Sequence, residues 1–150
     1  VDWTKVHYPL ETRLRTVRVN LYAWGLGSFP GIKGYVWNRV RRGQRFLGTP
    51  AVADGMVYAT SESGKVLKMG EFDGEAVWSY DAGAKPSKTV AVTADHLFVG
   101  DENGKLHAID VDTGEPELEL QLDGAISAGP VLANDMLYVG TLAGKLYAIR

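Results

Sequence analysis

Ala94-Asp95-His96-Leu97-Phe98-Val99-Gly100, then Asn103-Gly104-Lys105-Leu106-His107-Ala108-Ile109 after Asp101-Glu102, decides how this chain is read, because the pattern recurs forty residues on either side. Upstream it reads Asp54-Gly55-Met56-Val57-Tyr58-Ala59-Thr60 and Ser63-Gly64-Lys65-Val66-Leu67. Downstream it reads Asn134-Asp135-Met136-Leu137-Tyr138-Val139-Gly140 and Ala143-Gly144-Lys145-Leu146-Tyr147-Ala148-Ile149. Gly-Lys falls at 64, 104 and 144 without a gap, and an aromatic ring at 58, 98 and 138. A fixed period of this size marks a repeat architecture, in which one unit cannot bury its apolar face alone.

Each unit reads as short strands. Residues 57–60, 97–100 and 137–140 are apolar runs rich in β-branched and aromatic side chains. Four-residue links ending in Gly64, Gly104 and Gly144 supply the positive φ of a hairpin turn. The next strands are 65–69, 105–109 and 145–149, and further turns follow at Asp73-Gly74 and Thr113-Gly114. An outer strand then alternates, as Val77-Trp78-Ser79-Tyr80 and as Glu117-Leu118-Glu119-Leu120-Gln121-Leu122. In the latter, Leu118, Leu120 and Leu122 are expected on one covered face, with Glu117, Glu119 and Gln121 toward water. Residues 50–52, 90–92 and 130–132 supply a fourth strand, and nothing beyond residue 48 keeps a helical period. Four short strands per forty residues predict all-β propeller blades, about three of them in an incomplete ring.

Composition places the chain among globular domains: 150 residues, 45% hydrophobic, 23% charged, with no cysteine. The missing cysteines exclude disulfides, thiolate nucleophiles and Cys-ligated metal centres. The net charge of −2 hides two opposed halves. Residues 1–48 hold nine Lys/Arg against Asp2 and Glu11, whereas 49–150 hold seven basic and sixteen acidic side chains. The division expected is a basic N-terminal arm or degenerate blade over 1–47 and propeller repeats over 48–150. Gly34-Tyr35-Val36-Trp37 and residues 16–23 are the candidate remnants of that degenerate blade. Arg39, Arg41, Arg42 and Arg45, interleaved with Trp37 and Phe46, are the candidate interaction residues. Arginine beside stacking aromatics suits an anionic membrane surface, an acidic protein face or, less well, nucleic acid. The arm can equally pack on its own acidic body.

Ala108-Ile109-Asp110-Val111-Asp112-Thr113-Gly114-Glu115-Pro116-Glu117-Leu118 resembles the repeat of pyrroloquinoline-quinone-like propellers, A-x-D-x-x-T-G-x-x-x-W. Leu118 stands where that family usually has Trp. The preceding unit keeps Gly74 through Trp78 but places Lys68 at the Ala position and Gly70 at the Asp position. The resemblance implies that Trp78 wedges between neighbouring blades, with Leu118 a smaller substitute. It also implies a bacterial or archaeal, extracytoplasmic setting. By resemblance, the nearest functional relatives are a scaffold lipoprotein of bacterial outer-membrane protein assembly and the sensor propellers of bacterial kinases.

Quinone-dependent dehydrogenases carry such repeats too, with eight blades, a quinone, a calcium ion and a catalytic carboxylate. No residue here matches those functional positions, so no cofactor or metal is expected and the chain is read as a non-enzyme. Asp101-Glu102, Asp110 with Asp112, and Glu115 with Glu117 are read as turn formers or solvent-facing groups, because the spacing of a calcium loop is absent. His96 replaces Met56 and Met136, and His107 replaces Leu67 and Tyr147, so both are read as packing residues rather than ligands. The phosphate-binding and nucleophile motifs are missing as well.

A closed propeller needs at least four blades, on the order of 160 residues. The alternatives are therefore a fragment of a longer protein, several copies completing a ring, or an arm capping an open stack. The edges at 16–23 and 146–149 are candidates for strand addition. The function expected is a non-catalytic protein-interaction scaffold or sensor module, with a protein partner or self-association. The alternatives are a fragment of a quinone-dependent dehydrogenase, or a binder of anionic lipid or nucleic acid through the basic arm.

Overall fold

The computed structural model describes residues 45–150. Trp37, Arg39, Arg41, Arg42, His7 and the 16–23 segment lie outside them. Eleven strands form three antiparallel sheets, and the described residues contain no helix. The first sheet runs β1 (Phe46–Ala53), β2 (Met56–Ser61), β3 (Lys65–Gly70) and β4 (Ala76–Asp81) in chain order. The second repeats the order with β5 (Ala91–Val92), β6 (His96–Gly100), β7 (Lys105–Asp110) and β8 (Pro116–Gln121). The third has β9 (Val131–Ala133), β10 (Met136–Gly140) and β11 (Leu146–Ile149). These are propeller blades. Residues 45–71 and 75–150 fall in one compact unit, and everything below concerns that unit.

Successive sheets touch along their first strands, β5 lying between β1 and β9. Apolar side chains on facing sheets then close two cores. Tyr58 and Val66 of the first sheet meet Leu97, Val99 and Ile109 of the second, all at most 1% exposed. Leu106, Leu122 and Ile126 meet Leu137 and Val139 of the third in the same way. Within the middle sheet β7 is covered on both faces and buries Leu106 through Ile109 without alternation, whereas β8 at the outer edge is exposed along its length.

The repeat extends to the backbone bonds. Ala82 N donates to Gly64 O at 2.9 Å, and Leu122 N to Gly104 O at 2.8 Å, forty residues on. Glu102 N to Lys85 O and Leu142 N to Ala125 O, both 2.9 Å, each tie one blade's hairpin turn to the loop that leaves the blade before it. The turn glycines Gly64, Gly104 and Gly144 have φ of 90°, 83° and 79°. At Gly104 a Cβ would also come within 2.7 Å of Gly124 O, so the turn and the loop beneath it leave room for hydrogen alone.

The alternating face of β8 differs from the expectation. Leu122, just past the strand, is buried, whereas Leu118 is 57% and Leu120 36% exposed. In the first blade the corresponding Trp78 is covered by Val111 and Gly114 of the next sheet. The opposite face of β8 is not simply wet either: Glu119 reaches Tyr80 and His107 of the seam, and Gln121 Nε2 donates to Asn103 O at 2.9 Å.

Candidate functional site

Polar chemistry among the described residues concentrates in the seam between the first and second sheets. It begins with a shared irregularity. The register slips between Lys68 and Met69 opposite β4, and between Ala108 and Ile109 opposite β8, leaving Val77 and Glu117 as extra residues. Such a bulge re-aims the side chains that follow it. Trp78, the next residue, donates its indole N–H to Val111 O at 2.8 Å, with its ring against Gly114. Gly114 has φ 77°. Lys68, 6% exposed, donates its ammonium to the same Val111 carbonyl at 2.8 Å, with Asp112 Oδ1 at 3.9 Å. A carbonyl has two lone pairs, and here both donors arrive from the neighbouring blade.

Midway along the seam lies a second cluster. His107, 0% exposed, sets Nε2 at 3.0 Å from Asp101 Oδ2 and Nδ1 at 3.0 Å from the Tyr80 hydroxyl. Glu119 Oε1 is 3.4 Å from that hydroxyl and 3.5 Å from His107 Nδ1. Lys105 donates to Glu119 Oε2 at 2.9 Å. Burial first, and the Glu119 carboxylate second, push the Tyr80 phenol up to about 12. The Lys105 ammonium holds Glu119 below its usual range, and Glu119 in turn raises Lys105.

Asp101 is a correction. Read from sequence as a turn former or solvent-facing group, it does cap its turn, Oδ1 accepting from Asn103 N and Lys105 N at 2.9 Å. It is nevertheless 1% exposed, because its other oxygen turns inward to His107. The first blade has Ser61 and Leu67 at the two positions and the third has Thr141 and Tyr147. Neither position keeps one residue across the three blades, so the signal in the sequence was only that a carboxylate and an imidazole occur together in one hairpin. His96 is half-buried beside Glu117, at 2.5 Å, and joins no cluster. Among the described residues no three His, Asp or Glu are arranged to hold a metal ion.

Of the arginine-aromatic set, the structure describes two members. Arg45 is exposed, its Nη1 3.4 Å from Glu62 Oε2, and Phe46 opens β1 opposite Ser61, 44% exposed. Beside them, an open cleft of about 330 Å³ is lined by Glu62, Asp81 and Glu102 with Lys85, together with the small residues of two turns. Lys85 and Arg45 together hold Glu62 below its usual range.

Residues 33–90 and 73–150 each match the family described as outer membrane protein assembly factor BamB. The BamB of Shewanella oneidensis is 29% identical over 67% of this chain and 29% of its own length. The quinoprotein alcohol dehydrogenase PedH of Pseudomonas putida is also 29% identical, over 70% of this chain and 20% of its own length. The crystal structure of BamB from Moraxella catarrhalis superposes with a TM-score of 0.62 at 25% identity, covering 73% of this chain and 35% of that one. The quinohemoprotein alcohol dehydrogenase of Comamonas testosteroni, at 21% identity and TM-score 0.61, shares the fold. The chain thus spans less than a third of the length of the curated relatives named here. With the family matched twice from residue 33 to residue 150, and with its blades in chain order, this chain belongs to the BamB family of propeller-repeat proteins.

Proposed function

We propose that this chain serves as a non-catalytic scaffold in an extracytoplasmic setting, binding protein partners during the assembly of outer membrane proteins. The double family match carries the reading. The geometry favours it as well: the polar groups buried in the seam bond to one another or to backbone, which makes a stiff frame. The turns at 61–64, 101–104 and 141–144 differ in sequence from blade to blade, and rigid blades with variable turns suit a recognition surface. In this reading residues 1–47 form a basic arm and 48–150 the propeller repeats. Arg39, Arg41, Arg42 and Arg45, with Trp37 and Phe46, would lie against an anionic membrane surface or an acidic partner rather than nucleic acid. Photo-crosslinkers at the exposed turn positions Glu62, Glu102 and Leu142 test the proposal in a bacterial envelope. Adducts with components of the outer-membrane assembly machinery are expected; adducts with none of them refute it.

The match to a quinoprotein alcohol dehydrogenase favours one alternative, a segment of a quinone-dependent enzyme. Pyrroloquinoline quinone with calcium would then raise the melting temperature by mass action. A scaffold is indifferent to both.

A further inference from the structure

His107 is the buried imidazole of the described residues, and its two ring nitrogens face different blades. Nε2 meets Asp101, at the end of β6 in its own sheet, and Nδ1 meets the hydroxyl of Tyr80 on β4 of the preceding sheet. Behind that hydroxyl stands Glu119 of β8, held by Lys105 of β7. Asp81, next to Tyr80, is bonded to Lys65. These are the titratable and charged groups that surround the ring, and together they form one line from the buried Asp101 carboxylate to the half-exposed Glu119 carboxylate.

We infer that Asp101, His107, Tyr80 and Glu119 form a proton-operated latch between the first and second blades, in which protonation of His107 reverses the hydrogen bond to Tyr80 and turns the phenol hydroxyl to donate to Glu119. With His107 neutral, Nε2–H donates to Asp101 Oδ2 and the Tyr80 hydroxyl donates to Nδ1. When one proton enters from solvent at Nδ1, Nδ1–H donates to the Tyr80 oxygen. The hydroxyl hydrogen, freed from the ring, turns to Glu119 Oε1. No proton leaves Tyr80, and every donor has an acceptor in both states. The heavy-atom distances of 3.0, 3.0 and 3.4 Å serve either arrangement.

Two features support a switch rather than a static bond. The phenol of Tyr80 is pushed up to about 12 by burial and by Glu119, so it keeps its single proton throughout and must choose one acceptor. The ring nitrogen it faces belongs to the side-chain type that changes charge between about pH 5 and 8. The first and third blades have nothing comparable, with Leu67 and Tyr147 at the His107 position. The latch is therefore confined to one joint, and its output is the state of Glu119 and Lys105 at the surface. None of this depends on the scaffold reading.

Nuclear magnetic resonance of the ring-labelled full chain tests the latch, with His107 assigned by its loss in a His107→Leu/Asp101→Ser variant. Tyr80→Phe removes the only donor to Nδ1 in the neutral state, while the charged state can still turn to Glu119. The titration midpoint of His107 should therefore rise. Glu119→Gln replaces the charged acceptor used only in the charged state with a neutral amide oxygen that stabilises the imidazolium less, so the midpoint should fall. Each shift should be about half a pH unit or more, and in wild type the Tyr80 ring and Glu119 carboxyl resonances should share the His107 midpoint. Shifts of the same sign, no shift in either variant, or no titration of His107 between about pH 4 and about pH 9 would overturn the inference. Since Glu119 is half-exposed, Glu119→Gln leaves the core intact even if Tyr80→Phe does not fold.

Discussion

Adding one methyl group at Gly114 tests how the first two blades are joined. An alanine Cβ there would lie 2.7 Å from Trp78 Cδ2 and 2.8 Å from Cγ, on a backbone with φ 77°. Two penalties combine. The left-handed conformation disfavours an L-residue by roughly 1–2 kcal/mol, part of which is offset by the reduced freedom of the unfolded chain. Pressing a methyl group into a packed ring adds about 1–3 kcal/mol. Gly55 isolates the first term, having φ 72° and nothing within 4 Å of a Cβ. Gly100 isolates the second: its φ is not positive, but a Cβ would meet Ile126 Cγ2 at 2.2 Å. Gly55→Ala should therefore destabilise by about 1 kcal/mol and Gly114→Ala by about 2–4 kcal/mol.

The cycle with Trp78→Leu, which copies the residue found at 118, makes the test specific. Trp78→Leu alone loses a hydrogen bond to Val111 O, about 1 kcal/mol, and some half-buried ring area, about 1 kcal/mol more. The carbonyl is not orphaned, because Lys68 still donates to it. In that background the methyl group at 114 no longer meets an indole, and the cost of Gly114→Ala should fall to that of Gly55→Ala. The readout is hydrogen exchange at the amides of Asp110 and Val111, which bond to Glu115 O and Asp95 O at 2.9 Å and report opening of this turn. An equal cost of Gly114→Ala in both backgrounds would refute the seating of Trp78 against Gly114.

Two further outcomes follow from the same geometry. Breaking the buried pair from one side, by His107→Leu or Asp101→Ala, should destabilise by about 3–5 kcal/mol, whereas His107→Leu with Asp101→Ser, the solution of the first blade, should lie near wild type in urea unfolding. Asp110 and Asp123 both sit below their usual range, Asp110 chiefly through the Thr113 amide and hydroxyl and Asp123 through the Lys145 ammonium. A depressed carboxyl contributes stability that is present above its unfolded value near pH 4 and lost as pH falls through the folded value. Carboxyl titrations followed by carbon resonance should therefore show Asp123 moving back toward its ordinary value in molar salt while Asp110 stays depressed; equal salt sensitivity would contradict the assigned causes.

The repeat was legible because backbone geometry imposed it at every blade. A four-residue turn whose last φ is positive needs Gly64, Gly104 and Gly144, whatever the blade later does. Apolar runs bounded by such turns then leave little choice but strands. What could not be read were the departures, since a residue that breaks the period has no copy to be compared with. Lys68 at an alanine position looks like erosion of the motif, yet its ammonium shares Val111 O with the Trp78 indole. Leu118, Leu120 and Leu122 alternate correctly for a covered face. Which of them is covered, however, depends on the next blade rather than on β8, and only Leu122 is buried.

Asp101 and His107 make the same point more sharply. Taken singly, one is an ordinary turn carboxylate and the other a substitute for a bulky apolar side chain. Their chemistry exists only because the hairpin folds position 101 back against position 107, and because the neighbouring blade delivers Tyr80 to the far side of the ring. A period of forty residues announces what all blades share. Function in a repeat protein belongs to the positions where one blade differs from its copies, and paired differences within one hairpin are the form in which sequence can disclose it. By that criterion the joint between the first and second blades, where Lys68 departs from a shared alanine and Asp101 and His107 bring chemistry that neither other blade has, is where a change of state would be built.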